Sequence, residues 1–102
     1  MTPKQIKKAE EAWNRRGLYL KHLFNKNIDI REEIDGEDFR HQQVSVGDTV
    51  LVASQGSGEI HQGMVWKIMG FGLNGRNYFV FVPDLGRTVI RASSYIARDI
   101  SG

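Results

Sequence analysis

Most of the second half of the chain consists of short runs of β-forming residues separated by turn residues, and no other feature constrains the fold as strongly. The residues between the runs, at 54–58, 70–75, 83–86 and 93–94, are rich in Gly, Ser, Asn, Pro and Asp. The runs themselves are VSVGDTVLVA, HQGMVWKIM, RNYFVFV, RTVIRA and YIARDI, all after residue 43. Five short strands joined by tight loops favour a small antiparallel barrel, because so few strands must curl to avoid exposed edges.

The segment GFGLNG, residues 70–75, has the G-x-G-x-x-G spacing of a nucleotide-binding loop. Such a loop needs a helix behind it, because the helix N-terminus supplies the amides that hold the pyrophosphate. The run that follows, RNYFVFV, is aromatic and β-branched and therefore predicts a strand. Asn74-Gly75 is also a dipeptide that type I′ turns prefer. We therefore predict a β-hairpin here rather than a phosphate loop.

The composition is that of one soluble domain. The chain has 102 residues, of which 40% are hydrophobic, enough for one modest core, and no stretch has the apolar length needed to span a bilayer. The start MTPKQIKKAEEAW has no apolar h-region, so we do not expect a secretory signal. The absence of cysteine excludes disulfides and thiolate metal sites and fits a cytoplasmic location.

The net charge of +2 hides a segregation of sign along the chain. Residues 1–31 carry eight Lys or Arg against three acids, whereas residues 32–48 carry six acids against one arginine. Residues 49–102 carry five Lys or Arg against three acids. Together with the periodicity, this predicts three segments, which are an N-terminal basic amphipathic helix over 1–27, an acidic linker over 28–43 and the β-barrel over 44–102.

The first segment carries signals for the start of a helix. Thr2 and Gln5 have the spacing of a capping box, and Pro3 would occupy the first helical position. At about 100° per residue the apolar side chains share one sector and the basic ones the opposite sector. The apolar sector holds Ile6, Ala9, Trp13, Leu20, Leu23 and Phe24, and the basic face holds Lys4, Lys7, Lys8, Arg15 and Lys26. Gly17 predicts a kink or a close approach to another element.

The acidic linker IDIREEIDGEDFRHQQ has no sustained periodicity, which predicts an irregular, solvated segment. Alternatively, the acids of residues 32–38 fold back on the basic helix face and mask it, since opposite charges attract within a Debye length of about 8 Å. The sequence leaves both hypotheses open.

The segment GDTVLVASQGSGEIHQGMVWKI, residues 47–68, resembles the KOW motif of ribosomal proteins and of the C-terminal domain of the bacterial transcription factor NusG. The downstream run FVFVPDLGRTVIRASSYI is similar to the second half of that family. The resemblance implies a five-stranded antiparallel SH3-like barrel, and Tudor-like barrels share several of its features. It also implies RNA polymerase or another nucleoprotein machine as a partner. The matching residues are Gly47, Asp48, Val50, Val52, Gly56, Gly63, Val65 and Ile68.

The sequence carries none of the common catalytic signatures. His22, His41 and His61 lie in separate segments, and no H-E-x-x-H, G-x-S-x-G or cysteine nucleophile is present. The carboxylates cluster in the linker, where a rigid acid–base pair is not expected. We therefore expect a binding protein with no enzymatic activity, metal or cofactor.

Cations and aromatic residues alternate in the β runs, which points to nucleic acid, either DNA or RNA. Small barrels use this mixture because cations meet phosphates and an aromatic face accepts a base. Phe79 and Phe81 are assigned to the core, and Trp66 is equally compatible with a core position. The predicted site comprises Lys4, Lys7, Lys8, Arg15, Lys26, Trp66, Lys67, Arg76, Tyr78, Arg87 and Arg91.

A protein-interaction adaptor is the alternative. Exposed strand edges can accept another chain, and the stripe of Trp13, Leu20 and Phe24 would then contact the partner rather than the barrel. The expected setting of either function is a transcription or ribonucleoprotein complex.

Overall fold

The structure, a computed structural model, describes residues 2–24, 30–54, 58–71 and 75–99, with only the backbone for 16–24. The protein is α+β and mainly β, with one N-terminal helix and antiparallel sheets. Two 3₁₀ turns span Pro83–Leu85 and Ser93–Tyr95. The regular elements are α1 (Pro3–Phe24), β1 (Ile30–Glu33), β2 (Asp35–Glu37), β3 (Gln43–Ser45), β4 (Thr49–Ala53), β5 (Ile60–Phe71), β6 (Gly75–Val82), β7 (Arg87–Ala92) and β8 (Ile96–Arg98).

The helix starts where the capping signal predicts. The Thr2 N–H donates to Gln5 Oε1 at 2.9 Å, and the Gln5 N–H donates to Thr2 Oγ1 at 3.3 Å. This reciprocal pair satisfies two of the amides that have no partner inside the helix, so the capping box is confirmed. Pro3 is the first helical residue, and α1 continues through Gly17. In the described part of the chain no helix is both long and apolar enough to cross a membrane.

Six strands form one curved sheet in the order β7-β6-β5-β4-β8, with β1 paired to the C-terminal part of β5. β5 has 12 residues; its first part pairs with β4, its later part pairs with β6, and the register shifts between Val65 and Lys67. Strands β2 and β3 form a separate two-stranded sheet. The described chain thus has eight strands, and the end strands β7 and β8 are not paired with each other. The prediction of a five-stranded closed barrel is therefore corrected.

Two of the three additional strands, β1 and β2, come from the segment predicted to be an irregular linker, and the third arises because the predicted run VSVGDTVLVA is divided between β3 and β4. β1 pairs with β5, and β2 pairs with β3. The Glu33 carboxylate of β1 accepts hydrogen bonds from Arg31 Nε at 2.8 Å and Arg76 Nε at 2.5 Å. The Arg76 hydrogen bond is the main reason that the pKa of Glu33 lies below its ordinary value. This acid is held by arginines of the sheet and not by α1, so it does not supply the predicted masking of the helix.

The sheet is buried on both faces at strand β6. The outer face carries Phe79, which packs against Ala9 and Trp13 of α1, with Trp66 and Ile90 partly buried beside it. Phe79 has no exposed surface and Phe81 is partly buried, so the core position of Phe79 is confirmed. The inner face forms the main core of Val44, Val50, Val52, Val65, Ile68, Tyr78, Val80, Val82, Val89 and Ile96.

Trp13 is the side chain that docks the helix on the sheet. It is 4% exposed, and its ring centre lies 5.8 Å from that of Phe71 and 6.1 Å from that of Phe79. Trp13 is therefore covered within the protein, and its predicted role as a partner site in the adaptor alternative is wrong. The side chains of Leu20 and Phe24, named with it, lie outside the described residues.

The predicted hairpin between β5 and β6 is confirmed, but Gly75 lies in a strand and not at a central position of the turn. Phe71 of β5 pairs directly with Gly75 of β6, so Gly75 belongs to a strand and the connection is residues 72–74, outside the described chain. The Phe71 ring occupies the space beside Gly75, since a Cβ there would lie 2.5 Å from Phe71 Cε2. The glycine is needed for side-chain packing rather than for a type I′ turn.

The turn between β2 and β3 is built on the buried carboxylate of Asp38, which is 2% exposed. Its Oδ1 accepts the N–H groups of Arg40 and Gln42 at 2.8 and 3.0 Å. Its Oδ2 accepts the Arg98 N–H at 2.9 Å and Arg40 Nη2 at 3.3 Å. Burial raises the pKa of Asp38, but these hydrogen bonds more than offset burial and hold the pKa below its ordinary value.

We predict that Asp38 stabilises the fold at neutral pH and that this contribution is lost in acid. Because the folded-state pKa is the lower one, the contribution is complete above the unfolded-state pKa of about 3.9 and disappears as pH falls through the folded value. Asp38→Asn should cost about 1–3 kcal/mol at pH 7, because it removes a charged acceptor from buried donors. Urea unfolding from pH 7 to pH 2 measures this. Equal pH dependence of the variant and the parent would contradict it, and Asp35→Asn, at an exposed carboxylate, is the control.

Candidate nucleic-acid interface

A groove of about 400 Å³ separates α1 from β7, the end strand of the large sheet. Its helix wall is formed by Gln5, Lys8, Ala9 and Ala12, and its strand wall is residues 87–91. The two alanines have short side chains, so the helix packs on the sheet without filling this space. We call this the cationic groove.

The groove is fixed at one end by a hydrogen bond between the helix and the loop before β7. Gln5 Nε2 donates to the carbonyl oxygen of Gly86. Gly86 takes the left-handed conformation, with φ 62°, at the end of the 3₁₀ turn, which glycine adopts without steric cost. Gln5 thus both caps α1 and holds the start of β7 beside it.

Cations from opposite ends of the chain meet in this groove. Lys8 lies on its helix wall, and Arg87 and Arg91 lie on its strand wall. Lys8 and Arg87 are exposed, Arg91 is partly buried, and no acid is among the groove's described lining residues. The helical repeat places Lys4 and Arg15, both exposed, within about 40° of Lys8 around the axis. The basic surface therefore extends from the groove along the helix.

Arg91 is the partly buried cation of this groove, and its guanidinium is held by backbone carbonyls. Its Nε donates to the Ala53 carbonyl at 3.2 Å, and its Nη1 donates to the Ile90 carbonyl at 2.9 Å. The pKa of Arg91 is lowered first by burial and next by the positive charge of Arg87. The like charges of Arg87 and Arg91 oppose each other, and an anion bound near both would offset that repulsion.

Three of the predicted residues, Lys67, Arg76 and Lys7, do not contribute free cations to this groove. Lys67 Nζ lies 2.8 Å from Glu10 Oε1, an ion pair that joins β5 to α1, and Arg76 is paired with Glu33. Lys7 is exposed, but lies about 100° around the helix from Lys8. Lys26 lies outside the described residues.

Trp66 and Tyr78, the two aromatic residues of the predicted site, both pack within the fold. The Trp66 indole N–H donates to Thr88 Oγ1 at 3.1 Å, and its ring packs 5.4 Å from that of Phe79. Trp66 is thus partly buried in the layer under α1.

Tyr78 is fully buried, and its predicted contact with nucleic acid is wrong. Its hydroxyl donates to the Glu37 carbonyl and accepts the Glu37 N–H, both at 2.8 Å, and it lies 3.2 Å from Ser93 Oγ. Strand alternation alone does not predict that Tyr78 is buried, because both faces of β6 are buried and α1 covers the outer one.

A second groove on the surface was not predicted from the sequence. Phe39, Leu51, Ile60 and Tyr95 are exposed and line a groove of about 230 Å³ on the outer side of β4 and β8. The alternation of β4 could have revealed Leu51, because Val50 and Val52 point inward. No local signal marked Phe39, which is brought there by its backbone hydrogen bond to Ile96. We call this the apolar groove.

In the part of the chain that the structure covers, no three His, Cys, Asp or Glu residues are arranged to hold a metal ion. No family model matches the chain, and no curated protein or solved structure matches it either. The function is therefore inferred from the geometry of the two grooves.

Proposed function

We propose that the protein is a non-enzymatic nucleic-acid-binding protein that holds the phosphate backbone of DNA or RNA in its cationic groove. The observation that carries the proposal is the convergence of Lys8, Arg87 and Arg91 on one groove whose described lining contains no acid. Lys4 and Arg15 continue the surface along α1. A transcription or ribonucleoprotein complex in the cytoplasm is the setting that we propose.

The groove is suited to phosphates rather than to the edges of paired bases. Lysine and arginine donate to phosphate oxygens, and such contacts position a protein on nucleic acid without reading its sequence. Trp66 and Tyr78 do not line the cationic groove, and their polar atoms are hydrogen-bonded to Thr88 and Glu37. We therefore expect binding through this groove to depend little on base sequence.

We also propose that the β-rich part is an open, elaborated SH3-like barrel of the KOW type. The residues that carry the KOW resemblance support this proposal. Val50, Val52, Val65 and Ile68 all point into the main core. Gly47 has a φ of 100°, and a Cβ on Gly63 would lie 2.6 Å from Val80 Cγ1, so both glycines meet a backbone or packing requirement.

A protein-interaction adaptor is the second candidate function, and one observation supports it. In the described ranges β7 pairs with β6 on one side only, so its other edge could accept an extended chain. Because Trp13 is part of the core, a Trp13 variant cannot separate the two functions. The salt dependence of binding separates them.

Fluorescence anisotropy with labelled duplex DNA and RNA tests the proposed function. If the protein neutralises three phosphates of duplex DNA, its affinity should fall about 40-fold between about 50 and 200 mM salt. Binding releases cations from the DNA, and this release becomes less favourable as the salt concentration rises. The absence of binding at the lower salt concentration would contradict the proposal. Salt-insensitive binding of a protein partner, by a chain that binds neither nucleic acid, would favour the adaptor.

A further inference from the structure

The apolar groove is lined by aromatic and aliphatic side chains that are exposed to solvent. The side chains of Phe39 and Tyr95 are 57% and 43% exposed, and those of Ile60 and Leu51 are 67% and 38% exposed. All four line one groove, and none of the groove's described lining residues is charged. Exposed apolar side chains that are grouped in one groove form a candidate ligand site.

Arginines border this apolar surface. The guanidinium of Arg40 lies 5.4 Å from the centre of the Phe39 ring. Arg91 Nε donates to the carbonyl of Ala53, which lines the apolar groove. Arg91 itself lines the cationic groove, so one arginine links the two sites.

The two grooves also follow each other along the chain. Residues 87–91 form the strand wall of the cationic groove, and residues 94–97 line the apolar groove. Only Ala92 and Ser93 separate these stretches. A polymer that passes from one groove to the other would meet cations first and aromatic rings next.

We propose that the apolar groove receives unpaired bases of a single-stranded nucleic acid whose phosphates lie in the cationic groove. This inference rests on the proposed function. A duplex buries the faces of its bases by stacking, whereas a single strand can place them against the rings of Tyr95 and Phe39. An apolar protein segment would fill the apolar groove without contacting the cations of the neighbouring cationic groove, and a polyanion without bases would leave the exposed rings uncovered.

The test compares a labelled single strand of about twelve nucleotides, within the usual site size of such proteins, with the matching duplex. The parent should bind the single strand more tightly than the duplex. Tyr95→Ala and Phe39→Ala should each weaken single-strand binding about 5- to 150-fold and leave duplex binding unchanged. Ile34→Ala, at a side chain that is 75% exposed and does not line the groove, is the matched control.

Proton NMR of the parent gives a second readout that needs no variant. Stacked bases should shift the ring resonances of Tyr95 and Phe39 on addition of the single strand. If these ring resonances do not shift, or if the parent and both variants bind the single strand with equal affinity, the inference is overturned. Duplex binding by the parent would in that case still support the proposed function. If the parent binds neither nucleic acid, the proposed function itself fails. Self-association abolished by Tyr95→Ala would assign the groove to a second copy and would also overturn the inference.

Discussion

Replacing Trp13 by alanine is expected to lower the free energy of unfolding by about 3–5 kcal/mol, the usual cost of removing a large aromatic side chain from a core. Trp13 is 4% exposed and packs against Phe71 and Phe79, so it joins α1 to the sheet. Since small domains have total stabilities of about 5–15 kcal/mol, the loss should release the helix or unfold the chain. Urea unfolding followed by circular dichroism measures the change.

Asn14→Ala provides the control, because Asn14 is the next residue of the same helix and is exposed. Exposed substitutions of this kind usually change stability by less than about 0.5 kcal/mol. If Trp13→Ala cost no more than Asn14→Ala, the helix would not depend on this contact for its position. The cationic groove would then lose its structural basis, because α1 forms one of its walls.

The elements that local signals define could be predicted from the sequence. The capping box of Thr2 and Gln5 marks the start of α1, and the β-branched and aromatic run after Gly75 marks β6. The strands of the acidic segment could not be predicted in this way. They depend on Glu33 meeting Arg76 and on Asp38 meeting the backbone of Arg98, contacts between residues far apart in sequence.

The candidate site was predictable only in part, for a similar reason. The helical period correctly separates the exposed Lys8 from the buried Ala9 and Trp13. It does not show which strand the helix lies beside, so the meeting of Lys8 with Arg87 required the structure. The alternation of side chains along β6 would show that Tyr78 is buried only if the other face of the strand were solvated. Because α1 covers that other face, both faces are apolar and the pattern does not separate them.

Reversing the charge of the two exposed groove cations, in Lys8→Glu/Arg87→Glu, should lower the affinity for DNA and RNA at least about 100-fold at low salt. Two phosphate contacts are lost, and two carboxylates then repel the backbone. Both side chains are exposed, so the fold should tolerate the change. Fluorescence anisotropy at about 50 mM salt measures it, with unfolding curves to show that stability is retained.

The single variants Lys8→Glu and Lys7→Glu form a matched pair for this experiment. They change the net charge equally at neighbouring exposed positions of α1, but only Lys8 lines the groove. The groove account predicts a clearly larger loss of affinity for Lys8→Glu. Equal losses would indicate attraction to the helix as a whole and not binding in the groove.

The most direct test of the cationic groove is the dependence of DNA affinity on salt in the parent and in Lys8→Ala/Arg87→Ala. Each phosphate neutralised on duplex DNA contributes about 0.9 to the slope of log affinity against log salt concentration. If Lys8 and Arg87 each hold one phosphate, the slope of the variant should be shallower than that of the parent by about 1.8. Identical slopes for the two proteins would show that these residues contact no phosphate and would contradict the account.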